Sequence, residues 1–230
     1  MMNTQQILDA LLNSGKELVE KGMTLAEAEL NIPDDPEKRE AMMTGAGKGA
    51  LAAGVLAVLL GTNTGRKVTG TTLKLGSLAA IGGVAYKAFE NWQKKQTGQT
   101  IDSVGEKVDQ LSGEASEKRS RAILKAMIAS AKADGHIDEQ EKNIISQHAE
   151  KLGLETSVAN FINNELTAAL DAKDVAAEAD SPEAAAELYL VSRLTLNLDN
   201  DKERQYLDQL AQALELAPDL IAELEQQVTA

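Results

Sequence analysis

Apolar side chains recur at helical spacing along most of this chain. Ile7, Leu8, Leu11, Leu12, Leu18 and Val19 predict an amphipathic helix over residues 3–21. Thr24-x-x-Glu27 has capping-box spacing and starts a second short helix. Ile32-Pro33-Asp34-Asp35-Pro36 then breaks the chain. Asp35 caps the helix that follows, and Pro36 takes its first position, where a missing N–H costs nothing. From Arg121 onward the periodicity hardly pauses. Ile123, Leu124, Met127, Ile128 and Ala131 form one stripe, and Ile144, Ile145, Ala149, Leu152 and Leu154 a second. Val158, Phe161, Ile162 and Leu166 form a third, followed by a short helix near Asp171–Glu178. Ser181-Pro182 starts a long helix through Leu188, Leu190, Val191 and Leu194. Tyr206, Leu207, Leu210 and Leu214 make the next, and Pro218 opens the last with Leu220, Ile221 and Leu224. Seven short helices in about 110 residues describe a compact all-α domain over 118–230.

The middle of the chain has a different texture. Two apolar runs, Gly49 to Gly61 and Leu75 to Tyr86, are separated by the polar turn Thr62-Asn63-Thr64-Gly65-Arg66-Lys67. Neither reaches the roughly 20 apolar residues that cross a bilayer. Gly45/Gly49, Ala50/Gly54 and Gly61/Gly65 are each four apart, a small-residue spacing that lets helices approach closely. The 41–96 segment therefore reads as membrane-associating, either as a short hairpin or as one tilted span with snorkelling lysines. The alternative is a Gly-rich helical hairpin packed in a soluble protein or homo-oligomer. Phe89 and Trp92, followed by Lys94 and Lys95, resemble an interfacial anchor. Residues 97–117 are polar and read as a linker, and residues 1–40 stand as separate N-terminal helices.

Charge sharpens this division. The net charge of −13 is unevenly spread: residues 41–100 carry 7 basic and 1 acidic side chains, whereas 118–230 carry 11 basic and 21 acidic. The basic part is also the glycine-rich part, with 11 of the 17 Gly. Basic charge beside apolar sequence suits an anionic lipid surface, and the acidic remainder argues against nucleic-acid binding. In a hairpin, Lys38, Arg39, Lys48, Lys87, Lys94 and Lys95 flank its terminal side, against Arg66, Lys67 and Lys74 on the connecting side. The positive-inside rule then places both termini in the cytoplasm. The chain has no Cys and only two His, His136 and His148, which excludes thiolate chemistry and leaves little for a His-based site.

The candidate chemistry is carboxylate. Ala133-Asp134-Gly135-His136-Ile137-Asp138-Glu139-Gln140-Glu141 invites comparison with an EF-hand loop, matching it at Gly135, Ile137 and Glu141. Lys132 would then occupy an oxygen-ligand position, so an ordinary EF-hand is rejected. A second acidic corner, Leu198 to Glu203, lies 62 residues after the first. Superposing Glu141 on Glu203 aligns Ile144 with Tyr206, Ile145 with Leu207, Ala149 with Ala211 and Leu152 with Leu214. This is an internal repeat of an acidic turn followed by a helix of one apolar phase. Brought together by pseudo-symmetry, Asp134, Asp138, Glu141, Asp199, Asp201 and Glu203 offer hard oxygen ligands for a divalent cation, Ca²⁺ or Mg²⁺. Helix capping explains the same spacing without metal, because Asp138-x-x-Glu141 and Asn200-x-x-Glu203 are both capping boxes.

The Asp-Gly-His-Ile-Asp-x-x-Glu corner, its partner Leu198–Leu207 and the Gly-rich segment upstream resemble the YebE-like inner-membrane proteins, whose C-terminal part is similar to the tellurite-resistance TerB domain. The likeness covers residues 41–230. It implies a seven-helix domain of two pseudo-symmetric halves with metal-binding acidic residues, here Asp134, Asp138 and Glu141 in one corner and Asp199 and Glu203 in the other. The second corner lacks a glycine where the first has Gly135. The expected function is a non-enzymatic, membrane-associated binding or scaffold protein at the inner membrane. Its partners would be lipids, an unidentified protein or further copies of the chain. The competing classes are a metal-dependent hydrolase built on the clustered carboxylates and a soluble homo-oligomer. Against the hydrolase, the sequence carries no nucleophile–base motif and no glycine-rich phosphate loop after a strand.

The capping and metal readings make opposite forecasts. A cation bound only by the folded state stabilises it by about 2.7 kcal/mol at a hundredfold excess over Kd, enough to raise Tm by several degrees. We expect Ca²⁺, Mg²⁺ or Mn²⁺ at millimolar levels to raise the Tm of the full chain, and Asp138→Asn and Asp199→Asn each to reduce that rise. Asn caps about as well as Asp, so an unchanged Tm with all three ions leaves capping as the whole explanation.

Overall fold

The computed structural model describes residues 4, 5, 8, 78–97, 105–133, 155–196, 198 and 201–229. The apolar run at 49–61, the first acidic corner at 134–141 and most of the amphipathic segment at 3–21 lie outside these residues. Among the described residues the protein is all-α, with seven helices: α1 (Leu78–Thr97), α2 (Gly113–Ala131), α3 (Thr156–Thr167), α4 (Ala172–Ala176), α5 (Pro182–Thr195), α6 (Asp201–Ala213) and α7 (Pro218–Thr229). None of these helices is long and apolar enough to cross a membrane.

The architecture is organised around α5. Ser181 caps it, its hydroxyl accepting from the Ala184 N–H at 3.1 Å, and Pro182 sits in the first turn. Every residue from Glu183 to Ser192 is buried. A helix buried all round is a central helix, and Ala184, Ala185 and Ala186 let its neighbours approach closely. It packs against α1, α2, α6 and α7, while α6 covers α4 and α2 rests on α3. On α6, Tyr206, Leu207, Leu210 and Ala211 are buried, and Leu214 follows them into the core. Tyr206, Leu207, Ala211 and Leu214 are the positions the internal repeat assigns to the apolar phase of its second unit. Helix α7 is fastened to α5 by Glu225, which accepts from the Tyr189 hydroxyl at 2.9 Å and the Arg193 Nε at 2.8 Å.

Helix α1 contains most of the second apolar run. Ile81, Ala85, Ala88 and Phe89 form one stripe at helical spacing and are buried in the same core as α2, α5, α6 and α7. Phe89, read from the sequence as part of an interfacial anchor, is 5% exposed and lies tilted against Trp92 at 5.6 Å between ring centroids. Lys95 beyond them pairs with Glu223 of α7, and the Gln96 amide donates to Asp219 at 3.2 Å. The stripe finds protein rather than lipid because α5 and α7 present a matching apolar surface to it. The stretch read as a polar linker is also tied in. Val108 is 1% exposed, and α2 already begins at Gly113, whose φ of +60° suits a residue without a side chain.

The N-terminus joins the same body. Leu8 is fully buried within the core cluster, Thr4 donates to Glu117, and the Ser116 hydroxyl donates to Gln5 at 2.9 Å.

Two adjacent glycines of α1 test this packing. A Cβ on Gly82 would stand 2.9 Å from Val108 Cγ1 and 3.1 Å from Glu187 Oε1, whereas one on Gly83 meets nothing within 4 Å. Overpacking costs about 1–3 kcal/mol, and Gly→Ala in a helix gains about 1 kcal/mol. Urea unfolding should show Gly82→Ala destabilised and Gly83→Ala stabilised. Equal stabilisation of both would mean that α1 does not sit against Val108 and Glu187.

Candidate functional site

Asp201 and Glu203 open α6, so both lie at the positive end of its dipole, where carboxylates are favoured. They do not converge. Residues two apart on a helix point roughly 200° apart. Accordingly Asp201 is fully exposed and pairs with Arg204 at 3.0 Å, while Glu203 is 6% exposed and turned inward. Asp134, Asp138, Glu141 and Asp199 lie outside the described residues. Among the described residues, no group of three or more His, Asp or Glu side chains is placed to hold a metal ion.

The strongest electrostatic feature is one the sequence did not single out. Arg119 of α2 is 3% exposed, and its guanidinium donates to Glu187 Oε2 of α5 at 2.7 Å, to Asp180 and to the Ser181 hydroxyl at 3.3 Å. The other Glu187 oxygen accepts the Val108 N–H at 3.0 Å. One carboxylate thus joins α5, α2 and the 105–111 loop. Burial pushes the Glu187 carboxyl above the ordinary carboxylate range, although Arg119 and the Val108 N–H pull the other way and Asp109 opposes ionisation further. Glu183, one turn earlier, is 2% exposed, and its carboxylate oxygens have no hydrogen-bond partner among the described residues. Gly105 passes so close to Glu183 that a side chain there would collide with the carboxylate. A signal was present in the sequence: Glu187 interrupts an apolar run from Ala184 to Val191, and a carboxylate at such a position requires a buried partner.

Beside this cluster lies a cleft of about 550 Å³, formed where the second half of α1 meets α4, the start of α5, the end of α6 and the start of α7. Phe89, Trp92, Leu214, Leu216 and Leu220 give it an apolar lining, and Asp180 and Glu215 bring acidic groups to it. Asp180 belongs to both features, since it also pairs with Arg119. The cleft thus offers a place to bury an apolar group beside negative charge.

A family model described as "Protein of unknown function (DUF533)" matches residues 45–228. The chain belongs to the DUF533 family. The matched span takes in the Gly-rich segment from Gly45 onward, the Arg119 cluster, the cleft and both acidic corners. A curated relative, the "Uncharacterized protein in ampR 5'region" of Yersinia enterocolitica, is 29% identical over 112 residues, which is 49% of this chain and 81% of the relative. No solved structure matches the chain significantly.

The Arg119 cluster makes a pH-dependent forecast for this DUF533 protein. Removing one partner of a buried ion pair costs about 3–5 kcal/mol, so Arg119→Met should lose about that much stability at neutral pH. The sign with pH follows from Glu187. Its folded pKa lies above the unfolded value of about 4.3, so its stabilising contribution is complete below that value and is lost as pH rises through the folded one. Without Arg119 the Glu187 carboxyl moves higher still. The gap between wild type and Arg119→Met in urea unfolding should therefore narrow as pH falls toward 4.3. A gap independent of pH would show that Arg119 contributes packing rather than charge.

Proposed function

We propose that this DUF533 protein is a non-enzymatic, membrane-associated binding and scaffold protein of the YebE-like kind. Its TerB-like helical domain sits in the cytoplasm at the inner membrane and responds to a divalent cation. The observation that carries the binding role is the cleft beside Phe89 and Trp92: apolar lining with acidic groups suits holding a partner's apolar side chain next to a basic one. Membrane association rests on the separation of charge along the chain. Residues 41–77 carry four basic side chains, Lys48, Arg66, Lys67 and Lys74, and no acidic one, next to the apolar run from Gly49 to Gly61. Each basic residue near an anionic lipid surface contributes about 1 kcal/mol, which offsets the repulsion felt by the acidic domain.

Flotation of the full chain with lipid vesicles tests the proposal. Binding is expected to vesicles of phosphatidylglycerol and phosphatidylcholine, to weaken for phosphatidylcholine alone, and to fall as salt shortens the Debye length from about 10 Å to about 3 Å. Full recovery of the protein unbound from both kinds of vesicle refutes membrane association.

A further inference from the structure

Helix α6 ends in a turn that suits glycine, yet the residue there is a glutamate. The Glu215 N–H donates to the Gln212 carbonyl and the Leu216 N–H to the Ala211 carbonyl, both at 3.1 Å. With these bonds closing the helix, Glu215 takes a left-handed backbone, at φ +54°. Glycine commonly fills this position, because a side chain on a left-handed residue destabilises it. The Glu215 side chain returns nothing to the fold. It is exposed and makes no hydrogen bond or ion pair with the described residues.

Its carboxylate does line the cleft. Asp180, the other acid of the lining, is already paired with Arg119. Glu215 is therefore the lining carboxylate without a counterion. Phe89, Trp92, Leu214 and Leu216 give the same cleft its aromatic and apolar surface. An arginine or lysine side chain matches that combination, because it carries a cationic head on an apolar stem. Aromatic rings add to the match, since their faces attract cations and guanidinium groups above all. The excess of acid over base in residues 118–230, 21 against 11, also steers a basic partner toward this body.

We infer that the cleft receives an arginine or lysine side chain of a partner polypeptide, and that Glu215 selects it. This rests on the binding reading above and names the chemistry of the partner. Glutamate is kept at the end of α6, against the preference of the turn, for the charge it brings to the cleft.

Trp92 is the one tryptophan of the chain and lines the cleft, so its emission reports occupancy. The full-length protein is titrated with capped, tryptophan-free tetrapeptides that place arginine or lysine beside leucine or phenylalanine. Matched peptides carry glutamine or glutamate instead of the basic residue. The basic peptides are expected to shift the emission, and the matched ones to leave it unchanged. Glu215→Gln and Glu215→Gly should each weaken binding about fivefold, the scale of an exposed ion pair. In urea, Glu215→Gln should unfold with wild type, whereas Glu215→Gly should unfold at a higher midpoint. Undiminished binding to both variants, or equal binding of the matched peptides, overturns the inference and leaves the cleft its binding role. Hexylamine binding as tightly as the basic peptides overturns it as well, by making a small amine the occupant. A Glu215→Gly midpoint below wild type does the same, because the carboxylate then serves the fold. If no peptide of either kind changes the emission, the binding reading fails and takes the inference with it.

Discussion

Arg119 is held inside the protein by Glu187, Asp180 and the Ser181 hydroxyl, and the way the helices assemble depends on that arrangement. Burying a guanidinium and a carboxylate costs several kcal/mol per ion, and the loss is offset only when geometry and additional hydrogen bonds are good. Here both Glu187 oxygens are used, one by Arg119 and one by the Val108 N–H. Each contact fixes a different element: Arg119 sets the position of α2, Val108 that of the 105–111 loop, and Gly82 lies close enough to feel both Val108 and Glu187. An apolar core tolerates sliding of one helix along another. A buried pair with matched partners does not, because a shift of one turn leaves a charge without its counterion.

Much of the fold was legible because it is written locally. Ser181-Pro182 marks the start of α5, Pro218 that of α7, and the phase of Tyr206, Leu207, Ala211 and Leu214 was readable from the repeat. The DUF533 match runs from 45 to 228, across the Gly-rich and helical parts of the sequence alike. What periodicity does not carry is the identity of the surface an apolar stripe meets. Ile81, Ala85, Ala88 and Phe89 have the same spacing whether they face acyl chains or α5, so α1 reads equally well as a membrane element or as a core helix. Val108 is one of a few apolar residues, with Ile101, Val104 and Leu111, in a polar stretch, and nothing in its neighbours announces that Glu187 will bind its N–H.

The candidate site was legible as composition and less so as geometry. The acidic corner before α6 was found from its spacing, yet Asp201 and Glu203 face opposite ways, as any residues two apart on a helix must. The cleft was invisible for a different reason. Its walls come from α1, α4, α5, α6 and α7, brought together from positions as far apart as Phe89 and Leu220. A pocket made by convergence of five helices leaves no contiguous motif, and only its acidic members, Asp180 and Glu215, stand out at all.

The contact between Thr4 and Glu117 joins residues 113 positions apart. During synthesis at about 5–20 residues per second, the N-terminus waits on the order of ten seconds before its docking site has even been made. Through that interval the α2 surface that receives Thr4 and Gln5 does not yet exist. Contacts of such long range also form slowly once both partners are present, because a large loop must close first. Translation therefore imposes a sequence of events: the segment between Leu8 and α1 is synthesised before its N-terminal flank can seat on α2, and that seating comes late. The other flank waits longer still, because α1 packs on α5 and α7, so both ends of the segment stay untethered until most of the chain exists.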